Sequence, residues 1–284
     1  MDVMAQYDPE TGTITYIVAD PATRACAVID SVLNYDPKAA RTSTASAGRI
    51  AALVREHGLT CQWLLETHVH ADHLSGAAWL RPEIGGQIGI GDQIAPVQKM
   101  FSDVFGLDQD FPTDGRQFDH LFKDDEAFLI GSLRARALHT PGHTPACMTY
   151  VIEDAAFVGD TLFMPDSGTA RCDFPGGDAR TLYRSIRRIL ALPPETRVFT
   201  AHDYAPGGRA PAWESTVAAQ RAGNIHVCDG IDEDAFVATR TARDATLAMP
   251  ALILPSVQVN IRAGQMPEPD SHGRRFLKLP LNGF

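Results

Sequence analysis

The stretch Thr67-His68-Val69-His70-Ala71-Asp72-His73 follows the apolar run Trp63-Leu64-Leu65 and places three imidazoles and one carboxylate within six positions. An apolar run that ends in polar side chains is typical of a buried strand in an open α/β sheet, where ligands bind beyond the carboxyl ends of the strands. Imidazole nitrogens and carboxylate oxygens together suit zinc, iron or manganese. We therefore predict a metal site here, in preference to a polar loop whose histidines cluster by chance.

Three strand ends further along the chain carry the same types of ligand. His143 lies on the turn Thr140-Pro141-Gly142-His143-Thr144-Pro145, and Asp160 follows the apolar Phe157-Val158. His202 follows the run Val198-Phe199-Thr200-Ala201. If these strands lie side by side, their ends converge, and the metal site is assembled from across the fold.

The pattern His68-x-His70-x-Asp72-His73, followed by His143, Asp160 and His202, resembles the signature of the metallo-β-lactamase superfamily over residues 12–205. Its members include glyoxalase II hydrolases, lactonases and persulfide dioxygenases. The resemblance implies an α/β fold, a four-layer αββα sandwich of two sheets covered by helices. The pattern is highly specific for the superfamily but less so for the reaction, because the same ligands serve hydrolysis and oxygen chemistry.

The segment 166–177, Asp-Ser-Gly-Thr-Ala-Arg-Cys-Asp-Phe-Pro-Gly-Gly, is similar to the corresponding loop of the persulfide dioxygenases. In that family, residues matching His68, His143 and Asp160 hold one Fe(II) and leave positions open for O₂ and substrate. The resemblance implies oxidation of glutathione persulfide by O₂ to sulfite and glutathione, as in sulfide detoxification. Four other donors are then expected to lie beside the iron and orient its ligands: His70, Asp72, His73 and His202.

Other residues are candidates for proton transfer and substrate binding. Asp72 is the candidate catalytic proton carrier beside the metal. Arg171, Tyr204 and Lys278 are candidates for contacting an anionic thiol substrate, since basic side chains bind carboxylates, although Lys278 equally fits an ordinary surface lysine. Cys172 follows Arg171, whose charge would lower the pKa of a neighbouring thiol, yet a small core residue is the simpler interpretation.

The main alternative is a thioester hydrolase of the glyoxalase II kind, which uses two metals, such as zinc, and a bridging hydroxide. All seven donors of a two-metal site are present, so the ligands alone leave both reactions open. The loop 169–173 does not resemble that of a lactonase or a β-lactamase. A non-enzymatic metal or persulfide sensor would bind metal without turnover.

Composition fits a compact cytoplasmic enzyme. With 44% apolar residues, the chain can bury a substantial core. A net charge of −10 argues against a nucleic acid or an anionic membrane as the main partner. The N-terminus lacks the features of a signal peptide, and no apolar run approaches the roughly 18 residues of a membrane span. Five scattered cysteines predict neither a disulfide framework nor a structural zinc site. Homodimers are the commonest assembly of enzymes of this size, so a homodimer is the first assembly to consider.

The chain divides by pattern into two parts. Residues 1–210 are predicted to form the catalytic domain, and residues 211–284 a C-terminal helical and extended appendage packed on the same domain. Hydrophobic periodicity and turn residues set the expected elements. These are strands over 12–18, 25–30, 63–66 and 87–90, helices over 42–57, 74–80, 178–192, 212–223 and 232–249, and an extended tail from residue 255.

Overall fold

A computed structural model describes residues 1–283; Phe284, the last residue of the predicted appendage, lies outside them. The strands in chain order are β1 (Asp2–Asp8), β2 (Thr13–Ala19), β3 (Ala25–Ile29), β4 (Val32–Asp36), β5 (Arg41–Ser43), β6 (Thr60–Leu65), β7 (Leu74–Ser75), β8 (Gln87–Gly91), β9 (His120–Phe122), β10 (Glu126–Ile130), β11 (Leu133–His139), β12 (Met148–Ile152), β13 (Ala155–Phe157), β14 (Arg197–Phe199) and β15 (Glu214–Thr216). The helices are α1 (Ala45–Glu56), α2 (Ala77–Ile84), α3 (Ile94–Val104), α4 (Ala179–Ile189), α5 (Val217–Gly223), α6 (Glu233–Asp244) and α7 (Ile253–Asn260).

Two six-stranded sheets face each other across the main core. The first has the strand order β1-β2-β3-β6-β8-β9, and the second runs from β10 to β15 in sequence; β5-β4-β7 form a small third sheet. All seven residues of β2 are buried, as expected for a strand covered on both faces. Its Tyr16 packs edge-on against Phe157 and Phe199 of the second sheet, with ring centroids 5.2 Å and 5.4 Å apart.

Helices cover the outer face of each sheet. Ile50 of α1 and Val257 of α7 belong to the core that backs the first sheet, while Leu182 of α4 and Phe236 of α6 back the second. The order helix, sheet, sheet, helix confirms the predicted four-layer αββα sandwich. None of the helices within residues 1–283 has the length and apolar character needed to cross a bilayer.

The strand directions place the segments that carry the candidate metal donors at one edge of the sandwich. Strands β3, β6, β8 and β9 are parallel neighbours. In the second sheet, β11 and β13 each pair antiparallel with β12, and β14 is parallel to β13, so β11, β13 and β14 share one direction. The chain that follows β6 carries the three clustered histidines, and the chain that follows β11, β13 and β14 carries His143, Asp160 and His202 in turn.

Several local predictions were wrong because tertiary contacts override local pattern. The helix expected over 42–57 begins only at Ala45, since residues 41–43 form β5 and pair with β4. The helix expected over 74–80 begins only at Ala77, since the preceding residues form β7 and pair with β4. The helix expected over 212–223 begins at Val217, because β15 extends the second sheet beside β14. The tail expected to be extended from residue 255 starts as α7, whose Pro255 lies in the first turn, where a helix tolerates proline.

Candidate metal centre

A buried carboxylate network organises the loop after β6. Asp30, at the end of β3, accepts hydrogen bonds from the Thr67 amide (2.8 Å) and hydroxyl (2.9 Å). Because the only hydroxyl hydrogen of Thr67 is donated to Asp30, its oxygen must accept from His68 Nδ1, 3.0 Å away. His68 therefore carries its proton on Nδ1 and presents the lone pair of Nε2.

Two glycines allow the second sheet to approach this loop. Gly159 has φ +54° and directly precedes Asp160, and a Cβ there would lie 2.6 Å from the Thr67 hydroxyl. Gly142 precedes His143, and a Cβ there would lie 2.3 Å from the backbone of Leu182 in α4. Any larger residue at either position would push the metal donors apart.

Three donors meet at the centre of the site. His143 Nε2 lies 3.6 Å, and His68 Nε2 3.9 Å, from Asp160 Oδ2. Their ligand atoms all lie within 4.8 Å of one another, and all three residues are buried. His143 Nδ1 donates to the Arg171 carbonyl at 2.7 Å, which leaves Nε2 free to bind a metal. The structure thus brings together the three donors that the family resemblance implies for iron.

The donor set passes a simple test of fit to a metal. Within residues 1–283, His68 Nε2, His70 Nδ1 and His73 Nε2 are buried without any hydrogen-bond partner. Buried polar atoms are nearly always satisfied, so three adjacent unsatisfied imidazole nitrogens indicate a ligand that the protein itself does not supply. Burial, together with the nearby His70, also holds the pKa of His68 well below its usual value, which keeps the imidazole neutral as metal binding requires.

His202 lies between two carboxylates. Its Nε2 is 2.6 Å from Asp72 Oδ2, and its Nδ1 is 2.6 Å from Asp160 Oδ1. Because both neighbours only accept when ionised, both ring nitrogens carry hydrogen. Burial opposes every charge here, yet the mutual attraction raises the pKa of His202 well above, and lowers the pKa of Asp72 well below, the usual values. The Asp72 oxygen also accepts from His73 Nδ1, 3.0 Å away.

His70 is held from behind by two carboxylates. Its Nε2 lies 3.0 Å from Asp30 and 3.4 Å from Glu66, and all three side chains are buried. Burial disfavours the charged imidazole, but these carboxylates outweigh it and raise the pKa of His70 to about 10.

A cavity of about 710 Å³ opens onto the donors. Asp72, His143 and Asp160 lie on its floor, and Phe163, Phe174 and Tyr204 line its wall. The Tyr204 ring is parallel to that of His202, with centroids 6.0 Å apart. The segment 247–252 between α6 and α7 also borders the cavity, apart from Met249.

The basic residues suggested for substrate binding are placed differently from one another. Arg171 borders the cavity, but it donates to both Asp173 oxygens and to the Ala248 carbonyl. Lys278 is not among the lining residues, and its Nζ donates to the Gly106 carbonyl. Arg243 of α6 lines the cavity and makes no hydrogen bond or ion pair through its guanidinium within residues 1–283. In the sequence, Arg243 is one of several charged residues of this helix, and nothing singles it out as a substrate contact.

Cys172 is a buried structural residue. Its amide and its thiol both contact Asp244 of α6, at 3.0 Å and 3.3 Å. Burial, reinforced by that carboxylate, raises the pKa of Cys172 to about 12. The neighbouring Arg171 pairs with Asp173 instead, so Cys172 fits the simpler interpretation, a small core residue, and not a thiol activated by Arg171.

A family model for the metallo-beta-lactamase superfamily matches residues 8–202, which is more than half of the chain. The chain belongs to the metallo-beta-lactamase superfamily. A probable metallo-hydrolase of Burkholderia pseudomallei is 56% identical to this superfamily member over the whole of both chains. Glyoxylase B2 of Dictyostelium discoideum is 50% identical, covering 99% of this chain and 97% of the relative.

More distant relatives of this superfamily member carry another activity in their names. The human mitochondrial persulfide dioxygenase ETHE1 is 31% identical over 70% of this chain and 66% of its own. A crystal structure of ETHE1 from Myxococcus xanthus aligns with a TM-score of 0.74 at 28% identity, covering 93% of this chain and 100% of the other. A buried His/Asp cluster in this fold supports a metal cofactor and an enzymatic function for the superfamily member.

Proposed function

We propose that this chain is an Fe(II)-dependent persulfide dioxygenase that oxidises glutathione persulfide to sulfite and glutathione. The reaction consumes one O₂ and one water per persulfide. The terminal sulfur is oxidised and its bond to the glutathione sulfur breaks. Both atoms of O₂ and the oxygen of water end in sulfite, and glutathione leaves as the thiol.

The compact donor set of His68, His143 and Asp160 carries the proposal. A second metal at His202 would have to replace its 2.6 Å contacts with Asp72 and Asp160. At the centre, His68, His143 and Asp160 supply two imidazoles and one carboxylate, whose ligand atoms lie within 4.8 Å of one another. This donor set is typical of non-haem iron oxygenases, and the similarity to persulfide dioxygenases supports the same choice.

His68, His143 and Asp160 would hold the iron. Bound there, iron would supply the redox chemistry by which O₂ reacts with sulfur, while the protein orients the substrate and excludes water. Phe163 and Phe174 line the cavity beside the donors, and the Asp72–His202 pair would hold a proton close to the bound substrate. The chain is proposed to act in the cytoplasm, with residues 211–284 forming part of the catalytic unit.

Arg243 is the proposed contact for a glutathione carboxylate, because Arg171 is already paired and Lys278 lies outside the cavity lining. An Arg243→Ala change removes a charge-assisted hydrogen bond, so we expect KM for glutathione persulfide to rise about 10- to 100-fold with little change in kcat. Steady-state oxygen uptake measures both constants. Arg184→Ala, an exposed arginine on α4 paired with Glu233, is the control. An unchanged KM would contradict the assignment.

Tyr204 stays a proposed contact through its ring on the cavity wall.

A two-metal thioester hydrolase is the second candidate. His70 Nδ1 and His73 Nε2 are buried and unsatisfied, and both could serve as ligands to additional metal. The names metallo-hydrolase and glyoxylase B2, carried by relatives at 56% and 50% identity, favour this reading. It would use zinc or another pair of metals, with His70, Asp72, His73 and His202 as ligands.

Oxygen uptake separates the two candidates. Protein loaded anaerobically with Fe(II) is expected to consume O₂ on addition of glutathione persulfide and to release an equal amount of sulfite. No uptake by protein confirmed to contain iron would contradict the dioxygenase. Hydrolysis of a glutathione thioester by protein holding two zinc ions per chain would establish the alternative.

A further inference from the structure

A buried asparagine outside the family-matched region contacts the metal-binding loop directly. Asn260 ends α7, and residue 260 lies beyond the matched residues 8–202. Its Nδ2 donates to the carbonyls of His70 and His73, both at 2.8 Å. Its Oδ1 accepts from the Ser75 amide at 2.7 Å. One side chain that is only 4% exposed therefore makes three hydrogen bonds, all to the segment that carries the clustered donors.

The contact between Asn260 and Ser75 is linked through Glu66 to the imidazole ring of His70. Ser75, whose amide Asn260 holds, donates its hydroxyl to Glu66 Oε1 at 2.5 Å. The other oxygen of Glu66 lies 3.4 Å from His70 Nε2. Ser75 and Glu66 are buried, at 2% and 3% exposure. His70 is thus supported at its carbonyl by Asn260 and at its ring by a carboxylate that the Asn260–Ser75 contact keeps in place.

We propose that Asn260 is a positioning residue of the metal centre. The carbonyls it joins lie three residues apart, on either side of Ala71 and Asp72, so a single amide fixes the length and curvature of the loop between them. With the loop fixed, the imidazoles of His70 and His73 and the carboxylate of Asp72 keep their directions. Groups behind metal ligands commonly set ligand orientation and affect metal affinity strongly.

The arrangement assigns α7 a role in metal binding rather than in packing alone. Val257 and Ile261 anchor the helix in the core that backs the first sheet, so the position of Asn260 is set by rigid packing. Because a rigid helix holds the loop, the loop is ordered when the protein folds, and metal binding does not have to order it. The inference rests on the metal site of the proposed function and is independent of the reaction performed there.

Asn260→Asp is the sharpest test, because it preserves size and the acceptor for the Ser75 amide while it removes both donated hydrogen bonds. Gln258→Ala is the matched control: Gln258 is a buried amide on the same helix, but it bonds Leu254 and the backbone of Lys278 instead of the metal loop. Asn260→Leu removes all three contacts. Each metal-free protein is titrated with Co²⁺, whose visible absorption reports affinity and ligand geometry, and its urea unfolding is measured in parallel.

We expect both Asn260 variants to bind Co²⁺ about 10- to 100-fold more weakly than the wild type and with an altered absorption spectrum. Gln258→Ala should lose stability in urea but keep wild-type affinity and spectrum. Wild-type affinity and spectrum in Asn260→Asp would overturn the inference, as would an equal loss of affinity in Gln258→Ala. If the wild type itself binds no Co²⁺, the proposed metal site fails together with the inference. Tight Co²⁺ binding by the wild type, together with no oxygen uptake by the iron-loaded wild type, would contradict only the reaction.

Discussion

Replacing Asp160 with asparagine is expected to remove both the bound metal and persulfide oxidation. Asp160 Oδ2 faces the free nitrogens of His68 and His143, and Oδ1 accepts from His202. An amide oxygen has no net charge, and the amide nitrogen would repel either a metal ion or an imidazole N–H. Substitution of a residue that supports a metal ligand typically lowers metal affinity by up to about 100-fold. Asp160 is itself a proposed ligand, so we expect a larger loss. Metal content after dialysis, measured alongside oxygen uptake, checks this result.

Asp154→Asn is the matched control for that change. Asp154 lies at the turn between β12 and β13, and its exposed carboxylate pairs with Arg197, a surface contact worth little. The control should retain metal and turnover. Stoichiometric iron in Asp160→Asn, with oxygen uptake near the wild-type rate, would remove Asp160 from the ligand set.

Much of the fold was predictable because the same local patterns recur at several strand ends. The run before His68 is apolar and short, and similar runs precede Asp160 and His202, so the sequence itself predicts strands that end in donors. The parallel arrangement of β6 and β8, and the common direction of β11, β13 and β14, then bring those donors to one edge. Local pattern and resemblance agreed on the sandwich, which the structure confirms.

The hydrogen bonds that hold the metal-binding segments in place were not predictable, because they join distant parts of the chain. Asn260 and His70 are 190 positions apart, and nothing local distinguishes this asparagine from a residue at a helix end. The same holds for Arg240, which donates to the Thr169 carbonyl, and for Asp244, which holds the Cys172 amide. Through the 169–172 segment these two residues of α6 support the carbonyl that orients His143.

Arg171, a predicted substrate contact, is already paired within the protein. In the sequence, Asp173 is only a nearby residue, whereas in the structure its carboxylate takes two hydrogen bonds from the guanidinium. A paired guanidinium has little capacity left for a substrate carboxylate. Within residues 1–283, the cavity-lining guanidinium without such a partner is that of Arg243 on α6, and only the tertiary structure shows that it borders the site.

Asp72→Asn is expected to leave one metal per chain and to lower turnover about 100- to 10,000-fold, the range for loss of a positioned proton carrier. Asp72 forms a charged pair with His202, and the two hold a proton between them beside the cavity floor. Asparagine is uncharged and cannot accept that proton. The substitution would also leave the protonated His202 with one carboxylate partner, Asp160. Metal analysis and oxygen uptake on the same sample measure both quantities.

The same substitution separates one metal from two. In a two-metal hydrolase Asp72 is itself a ligand, so the asparagine variant would lose metal, from two per chain towards one, rather than turnover at constant metal content. Asp234→Asn serves as the control, since the Asp234 side chain is 84% exposed on α6 and pairs with Arg180 on the surface. Full iron with full turnover in Asp72→Asn would assign proton transfer elsewhere in the site. Retained metal with slow turnover would remove Asp72 from the ligand set and support His68, His143 and Asp160 as the iron ligands.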